Sequence, residues 1–210
     1  MRYFWINKQK NSNLIIFFSG WGMDEKSVFL NYENFDIVIF YDYKDIIIEN
    51  NLMEEFLNYK SVYLIAWSMG VIMSTLLIKK LNNIKKSIAI NGTLKIIDDK
   101  FGIPIKIFNS TLNNLNEVTI LSFFNNMGYK DFKIPNRNFE SQFIELKSIE
   151  NFYKNNNFNA NFDRILIGEK DIIVPYKNQK RAWENKNFIT IDGGHYIFNK
   201  FKKWEEIIKC

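Results

Sequence analysis

Apolar residues gather in six short runs, Leu14 to Phe18, Ile37 to Tyr41, Val62 to Trp67, Ser87 to Ile90, Ile165 to Ile167 and Phe188 to Ile191, most of them ending in turn-forming residues. Runs that are apolar at nearly every position, instead of at every second one, suit strands covered on both faces. Most of the stretches between them are long enough for a helix. That alternation predicts an α/β fold built on a mostly parallel central sheet flanked by helices. Tyr3 to Ile6 is expected to add an antiparallel edge strand. Val71 to Leu81 is apolar almost all round and too long for a strand, which predicts one helix packed in the middle of the domain.

The spacing breaks once. Between Gly92 and Arg164 lie about 70 residues where a strand-helix-strand unit needs roughly 30, so residues 93–163 are expected as an insert in a core made of 1–92 and 164–210. Within it Phe139, Phe143, Leu146, Ile149 and Tyr153 recur at helical steps and mark one apolar face. Leu115 to Met127 reads as a further helix with Gly128 as its stop, and the asparagines from Asn155 to Asn161 read as a loop returning to the sheet. The insert is either a helical lid over a strand-end site or a plain helical excursion. As a lid, it would offer Phe139, Phe143 and Leu146 to a substrate.

Composition narrows the class without changing it. Of 210 residues, 47% are hydrophobic and 24% charged, which excludes disorder and fibrous repeats. No apolar run approaches the roughly 20 residues of a membrane span. Met1 to Lys10 lacks the pattern of a signal peptide, so a cytoplasmic location and no membrane partner are expected. The single cysteine, Cys210, and the single histidine, His195, argue against disulfides and against a zinc or iron site. The net charge of +5 is not gathered into a long cluster and no nucleic-acid motif accompanies it, so no nucleic-acid partner is expected. A monomer is expected.

The candidate chemistry sits at the ends of the strands. Ala66-Trp67-Ser68-Met69-Gly70 joins a buried strand to a buried helix, a turn that lifts Ser68 clear of the sheet and aims the Met69 amide at a substrate oxygen. Ala66 stands where the first glycine of such an elbow usually is, and is the smallest alternative with a side chain. His195, in Gly193-Gly194-His195 after the last strand, is the one candidate base. Asp171 follows the strand Ile165 to Ile167 and is the chosen partner for the imidazole. Asp192 lies too close to His195 along the chain, Asp163 precedes its strand, and Glu169 is the weaker rival. The chain order Ser68, Asp171, His195 is that of an α/β-hydrolase triad. Phe18-Ser19-Gly20-Trp21-Gly22 follows an early strand and can offer the Trp21 amide as the second oxyanion donor. The Trp21 indole would line an acyl channel or simply fill the core.

Taken together, Phe18-Ser19-Gly20-Trp21-Gly22-Met23-Asp24, Ala66-Trp67-Ser68-Met69-Gly70-Val71 and Gly193-Gly194-His195 resemble the BioG family of pimeloyl-[acyl-carrier protein] methyl ester esterases of biotin synthesis. The resemblance implies an α/β-hydrolase that needs no cofactor, with Ser68 as nucleophile, Asp171 as acid and His195 as base, and an acyl carrier protein as partner. Such a carrier is acidic and would be steered by positive charge at the pocket mouth. Lys177, Lys180 and Arg181, following Pro175 at one-face spacing on an expected helix, are the proposed dock, with Lys130, Lys133 and Arg137 as a competing patch.

Overall fold

In the computed structural model, which describes residues 1–210, every one of the apolar runs is a strand. The strands are β1 (Arg2–Asn7), β2 (Asn13–Phe18), β3 (Phe35–Tyr41), β4 (Ser61–Trp67), β5 (Ile84–Ile90), β6 (Arg164–Gly168) and β7 (Phe188–Ile191). They form one seven-stranded sheet in the order β1-β3-β2-β4-β5-β6-β7. The edge strand β1 runs antiparallel to β3 and every other pairing is parallel. The helices are α1 (Asn50–Leu57), α2 (Gly70–Met73), α3 (Thr75–Ile78), α4 (Ile105–Asn113), α5 (Glu117–Asn125), α6 (Phe139–Asn155), α7 (Tyr176–Ala182) and α8 (Trp204–Lys209).

Both faces of the sheet are covered, which is why its central strands carry no polar alternation. Leu14 to Phe18 of β2 are all fully buried. Phe18 stacks on its β3 register partner Phe40, and Phe40 meets Phe56 of α1 edge-on. One residue earlier and on the opposite face, Phe17 packs against Phe198 and Trp204. A parallel sheet places all its strand ends on one edge, so the loops after β2, β4, β6 and β7 converge there.

The expected single helix over 71–81 is instead two four-residue helices, α2 and α3. The junction at Ser74 and Thr75 has a physical cause. Ser74 Oγ donates to Val71 O at 2.8 Å and Thr75 Oγ1 to Ile72 O at 2.6 Å, so the hydroxyls compete with backbone amides for those carbonyls. Burial also fades along it, with Met73 and Leu77 in the core and Lys79 and Lys80 exposed.

Residues 93–163 lie between β5 and β6 and contribute α4, α5 and α6. The helix α5 matches the reading of Leu115 to Met127, shortened to Glu117–Asn125 by a capping box in which Asn116 accepts from the Thr119 amide and Thr119 Oγ1 from the Asn116 amide. Gly128 follows at φ +73° and its Cα region presses on Gly194, where a side chain on either residue would come within 2.7 Å of the other backbone. The helix α4 has no counterpart in the apolar pattern, because Ile105 and Ile107 are exposed while only Phe108 and Leu112 are buried.

Candidate active site

Ser68 is the first residue after β4 and sits at φ +56°, a left-handed conformation that a non-glycine residue adopts under constraint. The constraint is visible next door. A Cβ on Gly70 would stand 2.4 Å from Phe18 O and 2.5 Å from Ser19 O, so only glycine lets the chain turn from β4 into α2 against the end of β2. Ala66, in contrast, is fully buried within β4.

His195 Nε2 lies 2.9 Å from Ser68 Oγ, and His195 Nδ1 lies 2.8 Å from Asp171 Oδ2. The carboxylate accepts the Nδ1 proton, which leaves Nε2 as the acceptor for the serine hydroxyl. All three residues are at most 5% exposed. Asp171 is fully occupied: its Oδ1 accepts from the amides of Ile173 and Val174 at 2.9 and 3.0 Å, and its Oδ2 accepts from Gln179 Nε2 at 2.8 Å as well as from the imidazole. The passed-over carboxylates lie elsewhere. Asp192 is a surface partner of Lys170, Asp163 accepts from Ser87 before β6 begins, and Glu169 is exposed.

Sequence reading missed the residues that hold this trio. Asn91, fully buried at the end of β5, accepts from the Gly168 amide at 2.6 Å and donates to the carbonyls of His195 at 2.8 Å and Gly194 at 3.1 Å. It thereby ties the strand that carries Asp171 to the loop that carries His195. Trp67 Nε1 donates to the same His195 carbonyl at 3.0 Å. A polar residue closing an apolar strand, as in Ile90-Asn91-Gly92, was the available signal for Asn91. Gln179 had none, since it reads as one more polar residue of a surface helix.

The two expected oxyanion amides are both free: neither Trp21 nor Met69 donates its backbone N–H to a protein acceptor. The neighbouring Gly22 amide is taken by Glu145 Oε2 at 3.1 Å. Glu145 is fully buried on α6, and its Oε1 accepts from the Tyr43 amide at 3.0 Å. Burial pushes its carboxyl up to about 7, against the opposing pull of Arg137 and the Tyr43 amide. Arg137 pairs with Glu145 at 2.6 Å and with Asp42 at 2.9 Å, and its side chain is 7% exposed. It is therefore not part of a surface patch with Lys130 and Lys133.

A cavity of about 310 Å³ opens beside the trio, lined by Trp21 and Met69, by Ile107, Phe108, Leu115 and Phe123 of the insert, and by Ile172 and Ile173 next to Asp171. Leu146 reaches it; Phe139 and Phe143 do not. The inward face of α6 is Gln142, Glu145, Leu146 and Ile149, and the two phenylalanines stack on each other half-exposed at its flank, with Lys147 over the Phe143 ring. The polar lining is neutral, from Ser110, Thr111, Asn114, Thr119, Ser122 and Asn126, and no charged side chain lines the cavity. Lys177, Lys180 and Arg181 lie on α7 as expected, yet none borders this cavity. Lys180 packs over Tyr176, and Arg181 donates to Asn178 at 3.0 Å. No helix is long and apolar enough to cross a membrane, and no group of three or more His, Cys, Asp or Glu side chains could hold a metal ion.

Comparison with known proteins agrees with this architecture. The family model described as pimeloyl-ACP methyl esterase BioG matches residues 1–207. A malonyl-[acyl-carrier protein] O-methyltransferase of Bacteroides fragilis is 39% identical over 196 residues, which cover 87% of this chain; the chain spans only 39% of that protein's length. The crystal structure of BioG from Haemophilus influenzae superposes with a TM-score of 0.90 at 31% identity, covering 99% of each chain. An esterase from Exiguobacterium antarcticum, 13% identical with a TM-score of 0.61 over 99% of this chain and 91% of its own, shares the fold. A family match over residues 1–207, with a solved member of the same outline, makes this α/β-hydrolase-fold chain a member of the BioG family.

Proposed function

We propose that the protein is a serine carboxylesterase that hydrolyses the methyl ester of pimeloyl-[acyl-carrier protein] methyl ester, giving pimeloyl-[acyl-carrier protein] and methanol. The observation that carries this reading is the Ser68–His195–Asp171 relay at 2.9 and 2.8 Å beside an apolar cavity. His195 Nε2 takes the Ser68 proton as Oγ attacks the ester carbonyl, and the amides of Trp21 and Met69 receive the developing oxyanion. Collapse breaks the bond to the methoxy oxygen, which leaves as methanol with the proton from His195. Water, deprotonated by His195, then attacks the acyl-enzyme and frees the carboxylic acid and Ser68. No metal or organic cofactor enters these steps.

The uncharged cavity lining supports a substrate whose far end is masked as a thioester on the carrier over a free acid, whose carboxylate would be buried unpaired. The insert acts as the lid, with α4 and α5 forming the acyl wall. The family description supports a carrier partner, and α7 with Lys177, Lys180 and Arg181 is its proposed dock. The methyltransferase relative is named for a protein of which this chain matches the smaller part, and a serine-histidine-aspartate relay supports hydrolysis here. The test is methanol release from the carrier-bound methyl ester: Ser68→Ala should lose at least about a thousandfold while staying folded. Turnover within about tenfold of the parent protein would remove Ser68 as nucleophile, and steady turnover of simple esters without any of the carrier-bound ester would replace the substrate by a general short-chain ester.

A further inference from the structure

We infer that Gln142 and Glu145 of the insert helix α6 are positioning residues for the oxyanion turn, holding the Trp21 amide where it can act; the inference rests on the serine-hydrolase reading above. The turn after β2 is gripped from the insert at three points. The Trp21 indole Nε1 donates to Gln142 O at 2.8 Å, Gln142 Nε2 donates to Gly22 O at 2.9 Å, and the Gly22 amide donates to Glu145 Oε2 at 3.1 Å. Gly22 is at φ +78°, and without a Cβ it has no strong preference for that conformation, so its own backbone does not fix the turn.

All three grips are buried, where a missing partner is not replaced by solvent. Glu145 is itself set from the other side by the Tyr43 amide at 3.0 Å and by Arg137, which also donates to Met23 O at 2.9 Å in the same turn. Asp24, one residue further, accepts from the Asn136 amide at 2.7 Å. Residues 21–24 thus take their orientation from 136–145, and the part of the chain read as a lid becomes a wall of the reaction centre. An oxyanion donor that drifts weakens the transition state more than the bound ester, so the signature is in kcat.

The test compares the full chain with Gln142→Leu and Glu145→Gln on p-nitrophenyl butyrate, beside Ser68→Ala. A boronic acid that forms a tetrahedral adduct on the serine serves as the transition-state probe. Gln142→Leu, the milder change, keeps the backbone carbonyl that receives the indole. Expected is a fall in kcat of about tenfold or more in both variants with KM within about threefold, and boronate affinity falling in step with kcat. Ser68-dependent turnover and boronate affinity left within about twofold in Gln142→Leu, with only thermal stability lowered, would overturn the inference and leave the hydrolase reading standing. Absence of any Ser68-dependent turnover in the parent protein, on this ester and on the carrier-bound methyl ester alike, would remove the hydrolase reading and the inference with it.

Discussion

Replacing Asn91 tests how the two halves of the relay are held together. Asn91→Ala deletes three buried hydrogen bonds at once, from the Gly168 amide and to the carbonyls of Gly194 and His195. The His195 carbonyl keeps the Trp67 indole, so the group stranded most completely is the Gly168 amide, worth about 1–3 kcal/mol when left unpaired. Asn91 also sits at φ +44°, where alanine lacks asparagine's tolerance and adds about 1 kcal/mol. The expected loss is about 3 kcal/mol by urea denaturation, or roughly 6–12 °C in Tm for a chain of this size. Asn91→Gly removes the same hydrogen bonds without the backbone strain and should be the less destabilised by about 1 kcal/mol on that account. With the loop of His195 untied from the strand of Asp171, kcat/KM on a simple ester should fall at least about tenfold in both variants. A loss below about 1 kcal/mol together with unchanged kcat/KM would refute the reasoning, because it would mean the tie carries no load.

Three further outcomes are expected. Because the Glu145 carboxyl is raised to about 7 in the folded protein, the folded state binds its proton more tightly than the unfolded chain; the stability of the parent relative to Glu145→Gln should therefore be greatest below about pH 4.5 and decline by up to about 3 kcal/mol as pH rises to about 7, measured by denaturation across that range. Leu146→Asn should raise KM for long acyl esters more than for acetate esters, since Leu146 borders the cavity, whereas Phe143→Asn at the helix flank should show no dependence on chain length. Reversal of Lys177, Lys180 and Arg181 to Glu should slow hydrolysis of the carrier-bound ester and weaken its salt dependence while leaving a small free ester untouched; equal effects on both substrates would take the dock away from α7.

Strand positions were readable in the sequence because burial on both faces leaves its mark at every residue of a strand, as in Leu14 to Phe18. That Ser68, Asp171 and His195 meet was expected for a related reason: in a parallel sheet, residues just after strands share one edge, and the turn around Ser68 and the single histidine narrowed the choice among them. The long stretch of chain between β5 and β6 announced itself by its length. The apolar repeat of α6 located Leu146 and Ile149 on the inward face, but it did not show which polar residues share that face. It also pointed to Phe139 and Phe143, yet the fold buries Gln142 and Glu145 beside Leu146, because they meet the backbone of Gly22 and Tyr43, which needs polar partners. Gln179 was hidden likewise, and Asn91 showed only as a polar residue closing an apolar strand, with nothing to say what it holds. Their partners are backbone groups of remote loops or a carboxylate already claimed, and a periodic pattern reports burial without reporting what a polar side chain finds when it gets there. Local chemistry determined the strands and the candidate groups at their ends; only the tertiary structure decided which polar residues hold them, since that depends on backbone atoms some 80 to 120 positions away along the chain.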